Sequence, residues 1–205
     1  MPLRALRAPK SAANLIVDWT LAPRLARFLG VEVGDGCRFI GFPEVRRADS
    51  SQIRLGNRVL LNSRPGSNEA GISHRTILAA TRPGSRICIG DDTAVSGVSI
   101  VAHRSVVIGK RVLLGAGACI WDTDFHPTAA DARRLDATRG ARSAPVLIGD
   151  DVFIGARALV LKGVSIGARA LVGAGAVVTH HVPSDCTVVG NPAQVVRSGD
   201  PALRD

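Results

Sequence analysis

The chain has 205 residues, with five Phe, two Trp and no Tyr. It is long enough for one domain with a true core, but that core must be filled by small aliphatic side chains, which suits a narrow coil better than a layered globule. The formal net charge of +9 is carried by Arg far more than by Lys10, Lys110 and Lys162, which points to anionic partners. The arginines are scattered and no aromatic residues alternate with them to stack on bases. That excludes a nucleic-acid binder and favours phosphorylated small molecules.

Residues 1–12 read as a loosely docked arm. From Asn14 to Leu29 the apolar residues Leu15, Ile16, Trp19, Ala22, Leu25, Phe28 and Leu29 recur at helical spacing. Asn14 is placed to cap this helix and Pro23 to divide it. Asp18, Pro23 and Arg24 interrupt the apolar run, so it is neither a signal peptide nor a membrane span, and a cytoplasmic location is expected. The helix is expected to cover one end of a coil that begins near residue 31. Isolated repeats Val33-Gly-Asp-Gly-Cys37 and Leu55-Gly-Asn-Arg-Val59 open that irregular stretch. Asn62–Gly71 has turn composition, and His74 precedes a short strand. Between Ile87 and Ile120 the aliphatic residues Ile89, Val95 and Val101 are in phase; one extra residue near Val107 then shifts the frame to Ile108, Leu114 and Ile120, predicting a bulge. Trp121–Pro145 is a polar, Arg-rich excursion of 25 residues. A long irregular loop inside a regular scaffold is usually functional.

From Ile148 to Pro183 six hexads run in unbroken phase. The first position is Ile148, Ile154, Val160, Ile166, Val172 and Val178. The fifth is Val152, Ala158, Val164, Ala170, Ala176 and Val182, and Cys37 and Cys119 are assigned to the same fifth position. Gly149, Gly155, Gly167 and Gly173 hold the second, where unusual backbone dihedrals are expected. A period of six fits neither a helix nor a hairpin sheet; it fits an all-β, stacked parallel β-helix. Cys37, Cys88, Cys119 and Cys186 form no C-x-x-C pair and read as buried thiols in a reducing compartment. The division is thus an arm and capping helix over 1–30, a coil domain over 31–197 with its excursion at 121–145, and a tail over 198–205.

The hexads, the loop sequence Asp122-Thr-Asp-Phe-His-Pro and the closing V-V-G-N-P-A-Q-V-V-R together resemble the hexapeptide-repeat acyltransferases, in the branch of maltose, galactoside and polysaccharide O-acetyltransferases. The resemblance covers roughly residues 85–197 and more loosely 31–84. It implies a left-handed β-helix assembled as a homotrimer, with acetyl-coenzyme A as acyl donor and a sugar or glycosylated metabolite as acceptor. It also places His126 as general base. An acceptor hydroxyl is too weakly acidic to attack a thioester unaided, and imidazole titrates near neutrality. Asp124, two residues earlier, would share a face with His126 on an extended strand and orient its ring.

For the donor, the resemblance implies Ala156 and Ala174 along the pantetheine arm with Thr179 nearby, and Arg197 near the nucleotide. His180, with His181, stands where a phosphate-facing lysine is common. Phe153 is expected at the acyl end. Ser96 and loop arginines such as Arg133, Arg134 and Arg142 are candidate acceptor contacts. His74 and His103 carry no motif and read as structural or exposed. No residue is placed as a covalent nucleophile, and no metal is expected: a zinc site of the γ-carbonic anhydrase type needs paired histidines at a spacing this chain lacks. N-acylation of an amino sugar and a non-catalytic binding β-helix are the competing functions.

Overall fold

The computed structural model describes residues 16–199. The chain winds as a left-handed parallel β-helix whose coils have three sides. The first face stacks six strands, from Glu32–Val33 through Gln52–Leu55, Arg86–Ile89, Ser105–Ile108 and Val146–Ile148 to Ser165–Ile166. The second stacks eight, from Arg38–Ile40 to Thr187–Val189 and Gln194–Arg197, and the third six, from Glu44–Arg47 to Val177–Val178. Within these three faces every strand pairing is parallel except the last, where Gln194–Arg197 folds back antiparallel on Thr187–Val189.

Side chains at the first hexad position form three inward columns. Ile89, Ile108, Ile148 and Ile166 stack on the first face. Val95, Leu114, Ile154, Val172 and Val188 stack on the second, and Ile100, Ile120, Val160 and Val178 on the third. All are buried, as are the fifth-position residues from Val152 to Val182. Each fully buried Ile or Val contributes about 1.5–3 kcal/mol relative to exposure, and the narrow triangular section leaves space for little else.

Two expectations about the repeat are corrected. The inward residue of the third face is Ile100, level with Ile120, while Val101 lies level with Trp121 and is only partly buried. Val107 sits mid-strand between Cys88 and Leu147 with no bulge. The phase slips twice instead: one residue is lost between Val95 and Ile100, and two are gained at the turn His103–Arg104 before Ile108. At that turn the buried Asp122 carboxylate accepts the backbone N–H of His103, Arg104 and Ser105, each at 2.7 Å. The glycines also have a different reason. A Cβ on Gly155 would lie 2.5 Å from the backbone nitrogen of Ala174 in the next coil, and Gly155 has no positive φ. Positive φ falls at the fourth hexad position, on Asp151 (59°), Arg157 (58°) and Arg169 (60°) among others.

That fourth position makes a ladder on the edge between the first and second faces. Arg58, Asp92, Arg111, Asp151, Arg169 and Asp185 all adopt left-handed backbone there, at 54–61°. Arg58 clamps Asp92, Arg111 clamps Asp151 and Arg169 clamps Asp185, each through Nε at 2.6 Å and Nη2 at 2.7–2.8 Å. These hydrogen bonds hold the three carboxylates below their ordinary pKa. Left-handed backbone costs a non-Gly residue roughly 1–2 kcal/mol, and the bidentate pairs fix it in place.

At the N-terminal end, a π-helical turn Val17–Leu21 runs into helix α1, Ala22–Phe28. Pro23, in the first turn of α1, divides the segment as expected. Ala22 and Ala26 join the core, and buried Asp18 binds Arg64 Nη2 at 2.6 Å and the Gly41 N–H at 3.1 Å, pinning the helix to the open coil end. Asn14, the arm over residues 1–12 and the tail beyond residue 199 lie outside the described residues. None of the described helices is long and apolar enough to cross a membrane.

All four cysteines are free thiols. Cys37 and Cys186 are buried, but Cys88 and Cys119 are half-buried. Ala118, not Cys119, takes the fifth hexad position, so the Cys119 side chain alternates outward rather than into the coil.

Candidate active site

The excursion leaves the third face after Cys119–Trp121 and returns to the first face at Val146–Ile148. Its neck is a short antiparallel bridge, Thr123 to Ser143, flanked by Asp124 N–H to the Arg142 carbonyl (2.9 Å) and Ala144 N–H to the Asp122 carbonyl (2.9 Å). The loop is not wholly irregular: helix α2 spans Ala130–Leu135. Arg133 bonds the carbonyls of Pro127 and Thr128, and Arg134 pairs with Asp131. Both arginines serve the loop itself. Arg142 contributes its backbone to the neck, and its side chain is exposed.

Beyond the neck the chain reverses in a γ-turn. The His126 N–H bonds the Asp124 carbonyl at 2.6 Å around Phe125, whose φ is +60°. Such turns are rare and strained. The ring of Phe125 packs edge-on against Trp121, with centroids 5.2 Å apart, and against His103 at 6.1 Å. The turn overrides the extended geometry expected of this stretch, and with it the expected pairing of Asp124 and His126. Asp124 Oδ1 instead meets Lys162 Nζ, from the next coil, at 2.7 Å. His126 Nδ1 lies 2.5 Å from the Ala137 carbonyl oxygen. A carbonyl only accepts, so Nδ1 is the donor of this bond, and the tautomer it selects for a neutral ring has its lone pair on Nε2.

His126 lines a cleft of about 410 Å³ with Thr81, Arg82, His103, Phe125 and Thr138. Thr81 and Arg82 belong to the turn that joins the third face to the first, one coil before His103, so the cleft runs along a single edge of the coil. Burial, and then the charge of Arg82, lower the pKa of His103, against a smaller opposing effect of Asp122. His103, read from sequence as structural or exposed, is a wall of this cleft. Arg82 and Lys162 carry no sequence signal of their own, because a coil of irregular length separates each from the DTDFHP motif.

The remaining site residues lie elsewhere on the chain. Ser96, Ala156 and Ala174 stack on the edge between the second and third faces, linked through Ala116 by Gly117 N–H to the Ser96 carbonyl, Arg157 N–H to Ala116 and Gly175 N–H to Ala156. Thr179 and His180 share the His126 edge, two coils on, with Thr179 Oγ1 and His180 Nδ1 2.7 Å apart. Arg197 is exposed and pairs with Thr187 at the C-terminal end of the second face. Phe153 lies between Leu113 and Leu171 on the outer side of that face, and these three are 39%, 49% and 37% exposed. Within one chain, then, the third face separates the alanine edge from His126. Among the described residues no group of three His, Cys, Asp or Glu is placed to hold a metal.

The sequence profile described as the hexapeptide repeat of succinyl-transferase matches residues 105–120 and 145–180. With the three-sided parallel coil, this makes the chain a hexapeptide-repeat protein of left-handed β-helix fold. It is 38% identical over 89 residues to a 2,3,4,5-tetrahydropyridine-2,6-dicarboxylate N-acetyltransferase of Staphylococcus aureus; the match covers 43% of this chain and 31% of that protein. The chain thus spans about a third of the length of the curated relatives it matches. Among solved structures it resembles a hexapeptide-repeat-containing acetyltransferase of Vibrio cholerae complexed with acetyl-coenzyme A (34% identity, TM-score 0.51, 58% of this chain and 61% of that one). It also resembles a galactoside acetyltransferase in complex with coenzyme A (30% identity, TM-score 0.52, 57% and 56%).

Proposed function

We propose that the protein is an acetyl-coenzyme A-dependent O-acetyltransferase acting on a hydroxyl of a sugar or glycosylated metabolite. The observation that carries this reading is the Nδ1 bond of His126 to the Ala137 carbonyl, which leaves Nε2 as a base on the wall of a cleft. Nε2 takes the acceptor's hydroxyl proton as the oxygen attacks the thioester carbonyl. The tetrahedral intermediate then expels the thiolate, which recovers that proton from the imidazolium. No group of the chain forms a covalent intermediate. The Vibrio cholerae and galactoside enzymes, solved with acetyl-coenzyme A and coenzyme A, support this donor.

The donor fits the alanine edge. Ser96, Ala156 and Ala174 present small side chains along it, with Ala116 buried between them, so an extended pantetheine can lie against backbone there, with Arg197 at the far end for a phosphate. Because that edge and His126 are on opposite sides of the third face, a complete site in this reading needs His126 from one chain and Ala156 from another. A homotrimer meets that need. The exposed strip of Leu113, Phe153 and Leu171 supports contact between chains, since soluble monomers seldom leave such strips uncovered. Complementation tests it: inactive Ala156→Trp and inactive His126→Asn proteins, co-expressed, regain activity if sites are shared. No recovery, or an active monomer by light scattering, contradicts a shared site.

N-acylation of an amino sugar is the second reading, supported by the N-acetyltransferase relative. A neutral amine is already nucleophilic, so loss of His126 would then cost less. Thiol release from acetyl-coenzyme A against a panel of sugars and amino sugars separates the two. No turnover with either class contradicts both.

A further inference from the structure

Among the described residues, the lining of the cleft beside His126 includes one permanent cation and no carboxylate. Its lining is Thr81, Arg82, His103, Phe125, His126 and Thr138. Two acids approach from the adjoining loop, and both are engaged. Asp122 is buried and its oxygens accept three backbone N–H groups. Asp124 is held by Lys162. Arg82 itself has no ion pair or side-chain hydrogen bond among the described residues. Its backbone is fixed, because its carbonyl accepts both the N–H (3.0 Å) and the Oγ (2.7 Å) of Ser85. A rigid turn therefore presents an unpaired guanidinium to the same cleft as the free Nε2. A guanidinium is a planar fork matched to carboxylate or phosphate oxygens, whereas a neutral sugar leaves it unanswered.

We propose that the acceptor carries an anionic group, a carboxylate or a phosphate, and that Arg82 binds this group while His126 faces the reacting hydroxyl. This rests on the acetyltransferase reading above and narrows its substrate class. The donor's phosphates do not fit this role: the acyl end of the donor must meet His126, and its phosphates lie a full pantetheine length away. The His103 ring and the hydroxyls of Thr81 and Thr138 remain for the sugar's own hydroxyls.

The test compares matched acceptors of the full-length protein: methyl glucoside, methyl glucuronoside and glucose 6-phosphate. A charge-assisted hydrogen bond is worth a factor of roughly ten to one hundred. Wild type should prefer at least one anionic acceptor in kcat/KM by about that factor, and the better of the two identifies the anion. In Arg82→Gln the preference collapses through the acceptor KM, while the KM for acetyl-coenzyme A does not move. Arg82→Lys restores part of it. Equal use of neutral and anionic acceptors by wild type, or a raised donor KM in Arg82→Gln, overturns the proposal. Titration calorimetry with the same three sugars needs no turnover and separates this from the chemistry. Selective anion binding lost in Arg82→Gln upholds the Arg82 site even if acetylation fails; absence of selective binding overturns it even if acetylation proceeds.

Discussion

Asp124 and Lys162, from successive coils, meet at 2.7 Å and tie the base of the excursion to the coil beneath it. Each is about three-tenths exposed, so the pair contributes on the order of 0.5–1 kcal/mol. Its effect is local: it holds the γ-turn that aims His126. Asp124→Asn and Lys162→Met should therefore lower kcat by similar, modest factors of about three to ten, without changing the shape of its pH profile. A large shift of that profile in Asp124→Asn alone would show that the carboxylate acts on the imidazole directly.

The Arg–Asp ladder makes stability depend on pH in acid. Asp92, Asp151 and Asp185 titrate below their ordinary range because Arg58, Arg111 and Arg169 bond them. A depressed pKa in the folded state stabilises above the unfolded value, about 3.9, and is lost as pH falls through the folded value. The variant carrying Asp92→Asn, Asp151→Asn and Asp185→Asn should melt below wild type at pH 7, with the gap closing only in more acid solution than pH ~3.9. A gap that is the same at every pH would mean the aspartates act through packing alone.

Close approach, not backbone freedom, is the role assigned to Gly155. Gly155→Ala places a methyl 2.5 Å from the Ala174 nitrogen, and backbone cannot step aside as a flexible side chain would. A loss of about 1–3 kcal/mol is expected. Arg157→Gly, two residues on at φ +58°, should be near neutral, because relief of strain offsets added chain freedom. Chemical denaturation of both variants checks the contrast, which reversed would restore the dihedral explanation.

Arg197 tests the donor. If it meets a phosphate, Arg197→Ala should raise the KM for acetyl-coenzyme A by one to two decades, as expected for loss of roughly 1.5–3 kcal/mol, and leave the acceptor KM alone. An unchanged donor KM places the nucleotide elsewhere.

Much of the scaffold was legible because a coil repeats its environment every eighteen residues, as the pairing of Ile148 with Ile166 shows. Each column therefore writes itself into the sequence as a period. The site was legible only as the place where the period fails. His126 stood out because the motif surrounds it, but what the ring touches depends on a positive φ at Phe125 and on Ala137, eleven residues away. Asp122 shows the same limit. Its three bonds reach back to residues 103–105 and set the length of that turn, so the frame slip was visible near Val107 while its cause was not. The ladder was hidden for another reason: Arg and Asp at left-handed positions look like ordinary surface charge until the stacked pairs are seen.

Removal of the acceptor's proton by His126 Nε2 is the step on which the enzymatic reading depends. His126→Asn keeps a side chain of similar polarity but cannot take that proton, and general-base catalysis is worth ~10²–10⁴-fold. The measurement is kcat of wild type and His126→Asn with a saturating hydroxyl acceptor, each protein checked for assembly and melting temperature. A loss of that size is expected in a protein whose Tm barely moves, since His126 is exposed on a loop. A well-folded His126→Asn protein that retains near-full O-acetylation would contradict the base assignment.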